Sequence, residues 1–200
     1  MHRSCLRRPK RYPAVVAAAL FLAGCGHMPV TSMIKLAQVD FAKTDPAQLR
    51  AAVKLPRVVR PRPQGMALRI TVRLADGHEE FADFKLLEAS DPKELLDLRR
   101  ELDANSHIFA YRLEEKEAVR LVAFRAALEK KQAASGGKGG ALTIAIRPEA
   151  CRTGELSGRT LAFTTYLRTP ETVDYVPLAR DVDLRTVVSR DEVAAIPPCG

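Results

Sequence analysis

Between Met66 and Leu74 every second residue is apolar: Met66, Leu68, Ile70, Val72 and Leu74 alternate with Ala67, Arg69, Thr71 and Arg73. A period of two is the pattern of a half-buried strand, because successive side chains leave a strand on opposite faces. Asp76-Gly77 follows at once, a pair suited to the positive backbone angles of a tight hairpin, so Glu79 to Leu87 is predicted to return as the partner strand. An antiparallel hairpin is therefore the piece around which the rest of the chain must be arranged.

The remaining elements are read from periodicity and from start and stop residues. Met33 to Phe41 carries Met33, Ile34, Leu36, Ala37, Val39 and Phe41 and reads as a strand. Thr44-Asp45-Pro46 opens a predicted helix, with Thr44 as its cap, Leu49 and Val53 at helical spacing and Pro56 as its stop. Arg57 to Gly65 reads as a Pro/Arg linker, and Asp91-Pro92 starts a second helix with Leu95, Leu98 and Leu102 on one face. Ile108 to Leu113 is a predicted strand. Glu114 to Ala134 is the longest predicted helix, with Glu114, Glu115 and Glu117 near its start and Lys130 and Lys131 near its end, as the macrodipole favours. Its apolar stripe is imperfect, and a strand through Val119 to Phe124 is the competing reading. The glycine-rich run at 136–140 breaks it in either case. Ala141 to Ile146 and Thr160 to Leu167 read as strands, and the tail from Pro170 is Asp- and Arg-rich with short apolar pieces. This order predicts an α+β domain, a largely antiparallel sheet with two or three helices packed on it, within which a βαββαβ core would put helices on one face.

The first 24 residues have a different composition. Arg3, Arg7, Arg8, Lys10 and Arg11 precede Pro13 with no acidic residue, and Ala14 to Ala23 is an unbroken apolar run. That run is about 10 residues long, where a helix needs roughly 20 to cross the hydrocarbon core, so it reads as an export signal. It ends in Leu22-Ala23-Gly24-Cys25, which resembles the lipobox of bacterial lipoproteins at every position. The resemblance covers Met1 to Gly26. It implies that a diacylglyceryl group joins the Cys25 thiol, that a dedicated signal peptidase cuts before Cys25, and that the freed amine is acylated. An ordinary secretory signal with a coincidental Cys, or a cytosolic protein with an apolar N-terminus, are the alternatives. Three acyl chains, at roughly 0.8 kcal/mol per buried methylene, would hold the product on a membrane permanently. The expected organisation is a signal over 1–24, a tether over 25–32 and one globular α+β domain over 33–200. In enterobacterial lipoproteins an Asp after the modified Cys favours inner-membrane retention. With Gly26 there, the resemblance implies the periplasmic side of the outer membrane, the inner membrane being the alternative.

The leader also accounts for most of the charge. The chain carries 32 Lys+Arg against 24 Asp+Glu, a formal +8, yet removing the leader's cations leaves roughly +3, a mild balance that implies no nucleic-acid partner. Trp is absent and aromatic residues are 6% of the chain, so the core must be built from Leu, Val, Ile, Ala and Phe, and an aromatic sugar-stacking platform is disfavoured. With Cys5 in the leader and Cys25 assigned to lipid, Cys151 and Cys199 remain. In the oxidising compartment implied by export their pairing is forced if it exists, and would close a loop of about 49 residues. Free buried thiols, or a catalytic Cys151 without a recognisable partner, are the competing readings.

After the lipobox the most distinctive local chemistry is Lys54, Arg57, Arg60 and Arg62 interleaved with Pro56, Pro61 and Pro63. Prolines keep such a stretch extended, and the guanidinium forks suit phosphate or carboxylate groups, here lipid headgroups, lipopolysaccharide or cell-wall carboxylates; a solvated linker is the plain alternative. The glycine run lacks a Ser or Thr after Lys138 and so does not match a phosphate-binding loop. His78-Glu79-Glu80 puts neighbours on opposite faces of a strand, so no metal is expected. Gly154-Glu155-Leu156-Ser157-Gly158 has its Ser one place late for a nucleophile elbow. The pairs Asp181/Asp183 and Asp191/Glu192 are compatible with acid/base work but also with any polar surface, and the Asn/Leu/Arg helix pattern of the OmpA-like cell-wall-binding family is absent. No cofactor is predicted and no catalytic residue is identified. The expected product is a non-catalytic binding, accessory or assembly module whose partners are the membrane, through its lipid anchor, and an envelope protein or anionic envelope component. The alternative is a lipid-anchored periplasmic hydrolase.

Overall fold

The computed structural model describes residues 28–134 and 140–200. The leader, Cys25, the first residues of the expected tether and most of the glycine run lie outside the described residues. The described chain opens on α1 (Val30–Leu36) where a strand was expected. Pro29 occupies the N-cap position, and buried Ser32 and half-buried Leu36, four residues apart, both turn inward, the spacing of a helix face. Residues 30–32, read as the end of the tether, are thus helical.

The helix expected from Thr44 to Pro56 is also not formed. A single 3-10 turn, Pro46–Gln48, is capped by Asp45, whose carboxylate accepts from the Ala47 amide at 3.0 Å, and the chain then enters β1 (Arg50–Pro56). Leu49 and Val53 have helical spacing, but Ala51, Ala52 and Val53 are buried in succession. That is the burial of a strand covered on both faces, and tertiary packing overrides the local pattern.

After a turn at Arg57 and Val58 comes β2 (Val59–Leu74), so the expected linker is a strand. Its early part tolerates Pro61 and Pro63 because β3 (Glu79–Glu88) begins to pair with it only at Ala67, which leaves one side of the proline stretch open. The pairing of β2 with β5 (Gly140–Arg152) slips between Pro61 and Met66. Gln64 has φ 61° there, and a Cβ on Gly65 would stand 2.8 Å from that of Glu149, so only glycine fits beside the neighbouring strand. The β2–β3 hairpin turns as expected, with Gly77 at φ 87°.

α2 (Pro92–Leu96) begins where predicted, Asp91 accepting from the Lys93 amide at 2.9 Å, but it lasts 5 residues before a 3-10 turn, Arg99–Glu101. Leu98 alone of the expected leucine face is buried (1% exposed), while Leu95 and Leu102 are exposed. β4 (Ser106–Leu113) and α3 (Glu115–Ala134) match their expectations, and the competing strand at Val119 is excluded. Buried Glu117, Leu121, Arg125 and Leu128 explain the imperfect stripe, since two of the four inward residues are charged. The Arg125 guanidinium lies 4.5 Å over the Phe41 ring and donates to the Thr44 carbonyl at 2.6 Å. Burial lowers its pKa, against the fields of Asp40, Glu171 and Asp45.

β6 (Ala162–Arg168), β7 (Val176–Asp183), α4 (Leu184–Val187) and α5 (Arg190–Ala194) complete the chain. The strands form one seven-stranded sheet in the order β5-β2-β3-β4-β1-β6-β7, and every pairing between them is antiparallel. The α+β class with a largely antiparallel sheet is as expected. The βαββαβ core, which would pair two strands in parallel, is not formed. The sheet curls almost into a barrel, so that Ile146 at one end and Leu178 at the other belong to one core with Leu68, Ile70, Phe84 and Leu121. On the outer face the strap from α2 to the 3-10 turn lies against β1 and β6, where Leu98 packs on Ala52 and Tyr166. Its carboxylates hold basic residues of the sheet: Glu94 pairs with Arg50 and Arg168, and Glu101 with Arg180. Among the described residues no helix is long and apolar enough to cross a membrane.

Candidate functional site: an apolar cleft at the open seam

A curled sheet with two unjoined end strands has a seam, and here the C-terminal segment partly covers it. The tail is stitched to the end of β5 by the Cys151–Cys199 disulfide. Three hydrogen bonds flank that bond: the Arg152 amide donates to the Pro197 carbonyl (2.8 Å), the Cys199 amide to the Arg152 carbonyl (2.9 Å), and Arg152 Nε to the Ile196 carbonyl (3.1 Å). The expected pairing of the two cysteines is therefore present, and neither Cys151 nor Cys199 is a free thiol.

Two short helices between β7 and the tail are fixed by caps. Asp183 accepts from the Arg185 amide at 3.0 Å at the start of α4. Ser189 and Glu192 form a reciprocal capping box on α5, Ser189 Oγ accepting from the Glu192 amide (3.2 Å) and Glu192 Oε2 accepting from the Ser189 amide (2.8 Å). The Ser189 backbone bond also holds the Glu192 carboxyl below its usual range. The acidic pairs weighed as acid/base candidates are thus largely structural: Asp183 and Glu192 are caps, and Asp181 accepts from the Thr164 hydroxyl at 3.3 Å.

Between these helices and β5 lies a cleft of about 400 Å³. Its walls include Leu55 and Val59 from either side of the β1–β2 turn, Ile146 from β5, Phe163 from β6, and Val187 and Val188 from the C-terminal segment. Arg147 and Glu192 are the ionisable lining residues. Such a cavity can exclude water from an apolar group but brings together no nucleophile, base and orienting partner. Among the described residues no three His, Cys, Asp or Glu side chains are grouped to hold a metal ion, and in the His78-Glu79-Glu80 turn Glu80 pairs with Lys131 at 2.5 Å.

The basic residues singled out in the sequence are divided. Lys54 Nζ pairs with Asp103 at 2.7 Å, and Arg57 Nε donates to the Ala104 carbonyl at 2.7 Å, so both fasten the strap's end to the β1–β2 turn. Arg60 and Arg62 are exposed on β2. Burial, then the fields of Arg57 and Arg60, lower the His107 pKa, a sign of local positive potential. Sequence reasoning missed the cleft because its walls come from five separate segments. The Ser189-x-x-Glu192 box was a legible signal that a helix starts in the tail.

The site and fold define a class, an α+β domain whose near-barrel sheet leaves an apolar cleft at its seam. No family model, no curated protein and no solved structure matches the chain.

Proposed function

We propose that this chain is an envelope lipoprotein, held by acyl groups on Cys25 at the periplasmic face of the outer membrane, and that its domain is a non-catalytic binding module. The observation that carries the binding reading is the apolar cleft, whose lining is aliphatic and aromatic apart from Arg147 and Glu192. Glu192 is committed to capping α5, which leaves the cleft without a matched acid and base. The ligand is an apolar group, either an acyl chain or aliphatic side chains of an envelope protein, since both satisfy the same walls. Exposed Arg60 and Arg62 are secondary contacts for anionic envelope groups.

The test is an equilibrium titration of the purified mature domain with a fluorescent acyl-chain analogue. Saturable binding is expected, weakened at least about tenfold by Val187→Glu, the cost of about 1.4 kcal/mol that one charge against an apolar ligand readily imposes. Val187 is 54% exposed, so the substitution spares the core. Absence of saturable binding by the wild-type domain would refute the reading. Displacement of the analogue by an apolar peptide, and not by fatty acid, would assign the cleft to a protein partner. Intact-mass analysis of the native product tests the anchor separately.

A further inference from the structure

α1 presents to solvent the side a helix usually hides. Val30 is 72% exposed, Met33 46% and Ile34 62%, and Ala37 beyond the helix end is also exposed. Positions 30, 33, 34 and 37 fall within one arc of a helical wheel, on the side opposite buried Ser32 and away from Leu36, which packs against the core. The apolar stripe is thus directed away from the body of the protein.

A second observation lies beside it. Lys35 of α1 pairs with Asp174 at 3.5 Å, and the residue before Asp174, Val173, is 72% exposed with φ 61°. A β-branched residue in the left-handed region is strained and persists only where its surroundings impose it. Here two buried threonines do so: the Thr169 amide donates to Thr172 Oγ1 (3.0 Å), the Thr172 amide to Thr169 Oγ1 (3.2 Å), and the Val173 amide to the Thr169 carbonyl (3.1 Å). The fold thereby holds one more apolar side chain outward at the loop next to α1.

We infer that α1 and the Val173 loop form a membrane-docking surface, in which Val30, Met33, Ile34 and Val173 seat in the headgroup–acyl boundary of the leaflet that holds the Cys25 anchor. This rests on the lipid-anchor reading proposed above. The occupant follows from chain length: Val30 is five residues from Cys25, so at most roughly 18 Å of extended chain separates them, about the depth of the interfacial region and a short span beyond it. On the wheel Thr31 borders the stripe on one side and Lys35 lies beyond it toward the buried face, so the stripe has one polar, cationic margin. The anchor would then fix the orientation of the domain as well as its location.

The test uses the acylated full-length product in vesicles of phosphatidylethanolamine and phosphatidylglycerol. An environment-sensitive fluorophore is attached at Ile34→Cys, at Val173→Cys or, as reference, at His78→Cys on the β2–β3 hairpin, and acylation of each sample is confirmed by intact mass. Blue-shifted emission and quenching by nitroxide-labelled lipid at positions 34 and 173, with neither at 78, are expected. Acylated, vesicle-bound protein whose probes at 34 and 173 remain as in an unacylated form made from Gly26 onward without the leader would overturn the docking surface while leaving the anchor intact. A probe shift that grows with protein density and resists lipid quenching would also overturn it, in favour of a second copy of the chain. An unacylated product by mass would overturn both the anchor and the surface built on it.

Discussion

Tyr166 on β6 donates a 2.9 Å hydrogen bond to Glu101, 65 residues earlier in the strap, and the same carboxylate is held by Arg180 at 2.9 Å. Tyr166 is 1% exposed, and burial first, then the hydrogen bond to Glu101 and its charge, pushes its phenol pKa upward. Tyr166→Phe removes the donor and leaves the ring in place. A loss of about 1.5 kcal/mol in urea unfolding is expected, the magnitude of a hydrogen bond to a charged group; an unchanged midpoint would mean that the contact contributes nothing.

The strap's only deeply buried apolar side chain is Leu98, which packs on Ala52 and Tyr166. Leu98→Ala should cost about 3 kcal/mol and release the strap ahead of the sheet. Hydrogen exchange would read this as lost protection over residues 92–102 with β2 and β3 unaffected. Uniform loss across the sheet would instead indicate that the strap and sheet open as one unit.

Carboxylates of the strap and of the loop that follows it set an acid limit on stability. The Asp103 carboxyl is lowered from 3.8 to about 2, chiefly by its hydrogen bond from Lys54 and then by the Asn105 amide, and Glu101 is lowered from 4.5, chiefly by Arg180 against the cost of burial. A carboxylate with a depressed folded-state pKa contributes stability above its unfolded pKa and loses it as pH falls through the folded value. Melting temperature should therefore hold above about pH 4.5 and fall from there toward pH 2. Lys54→Met should flatten the lower part of that fall; an identical profile in the variant would remove Asp103 from the account.

Arg125 is buried, and its Nε and Nη2 atoms have no hydrogen-bond partner among the described residues. Its bond to the Thr44 carbonyl and its stacking on Phe41 oppose the desolvation of two idle donors, and replacing a buried charge by an apolar isostere is often neutral or favourable. Arg125→Met is expected to stabilise the domain by about 1 kcal/mol. A destabilisation of similar size in thermal or urea unfolding would show that the Thr44 and Phe41 contacts prevail.

Reduction of Cys151–Cys199, or Cys199→Ser, frees the tail from the end of β5. The chain-entropy model gives about 4 kcal/mol for a loop of this length, and the cleft wall formed by Val187 and Val188 should loosen with it. The expected result is a lower unfolding midpoint together with weaker binding of the acyl-chain analogue. Loss of stability with unaltered binding would place the ligand elsewhere.

What the sequence by itself determined was local. The alternation from Met66 to Leu74 and the Asp76-Gly77 turn specify a hairpin because pleat and backbone angles act over a few residues, and α3 was legible from its terminal charges. The Cys151–Cys199 link was expected from a count of cysteines and from the export that the leader implies, and the disulfide is present. Tertiary structure decided the rest. Residues 50–56 carry a helical spacing but become an interior strand because β4 and β6 flank them and both faces are covered. Residues 59–65 look like a linker, yet belong to β2 because β5 pairs with Val59 to Pro61 and again from Met66, on the side that the prolines leave usable. The cleft was illegible for the same reason: its walls are brought together by the curl of seven strands, and no window of sequence contains that curvature.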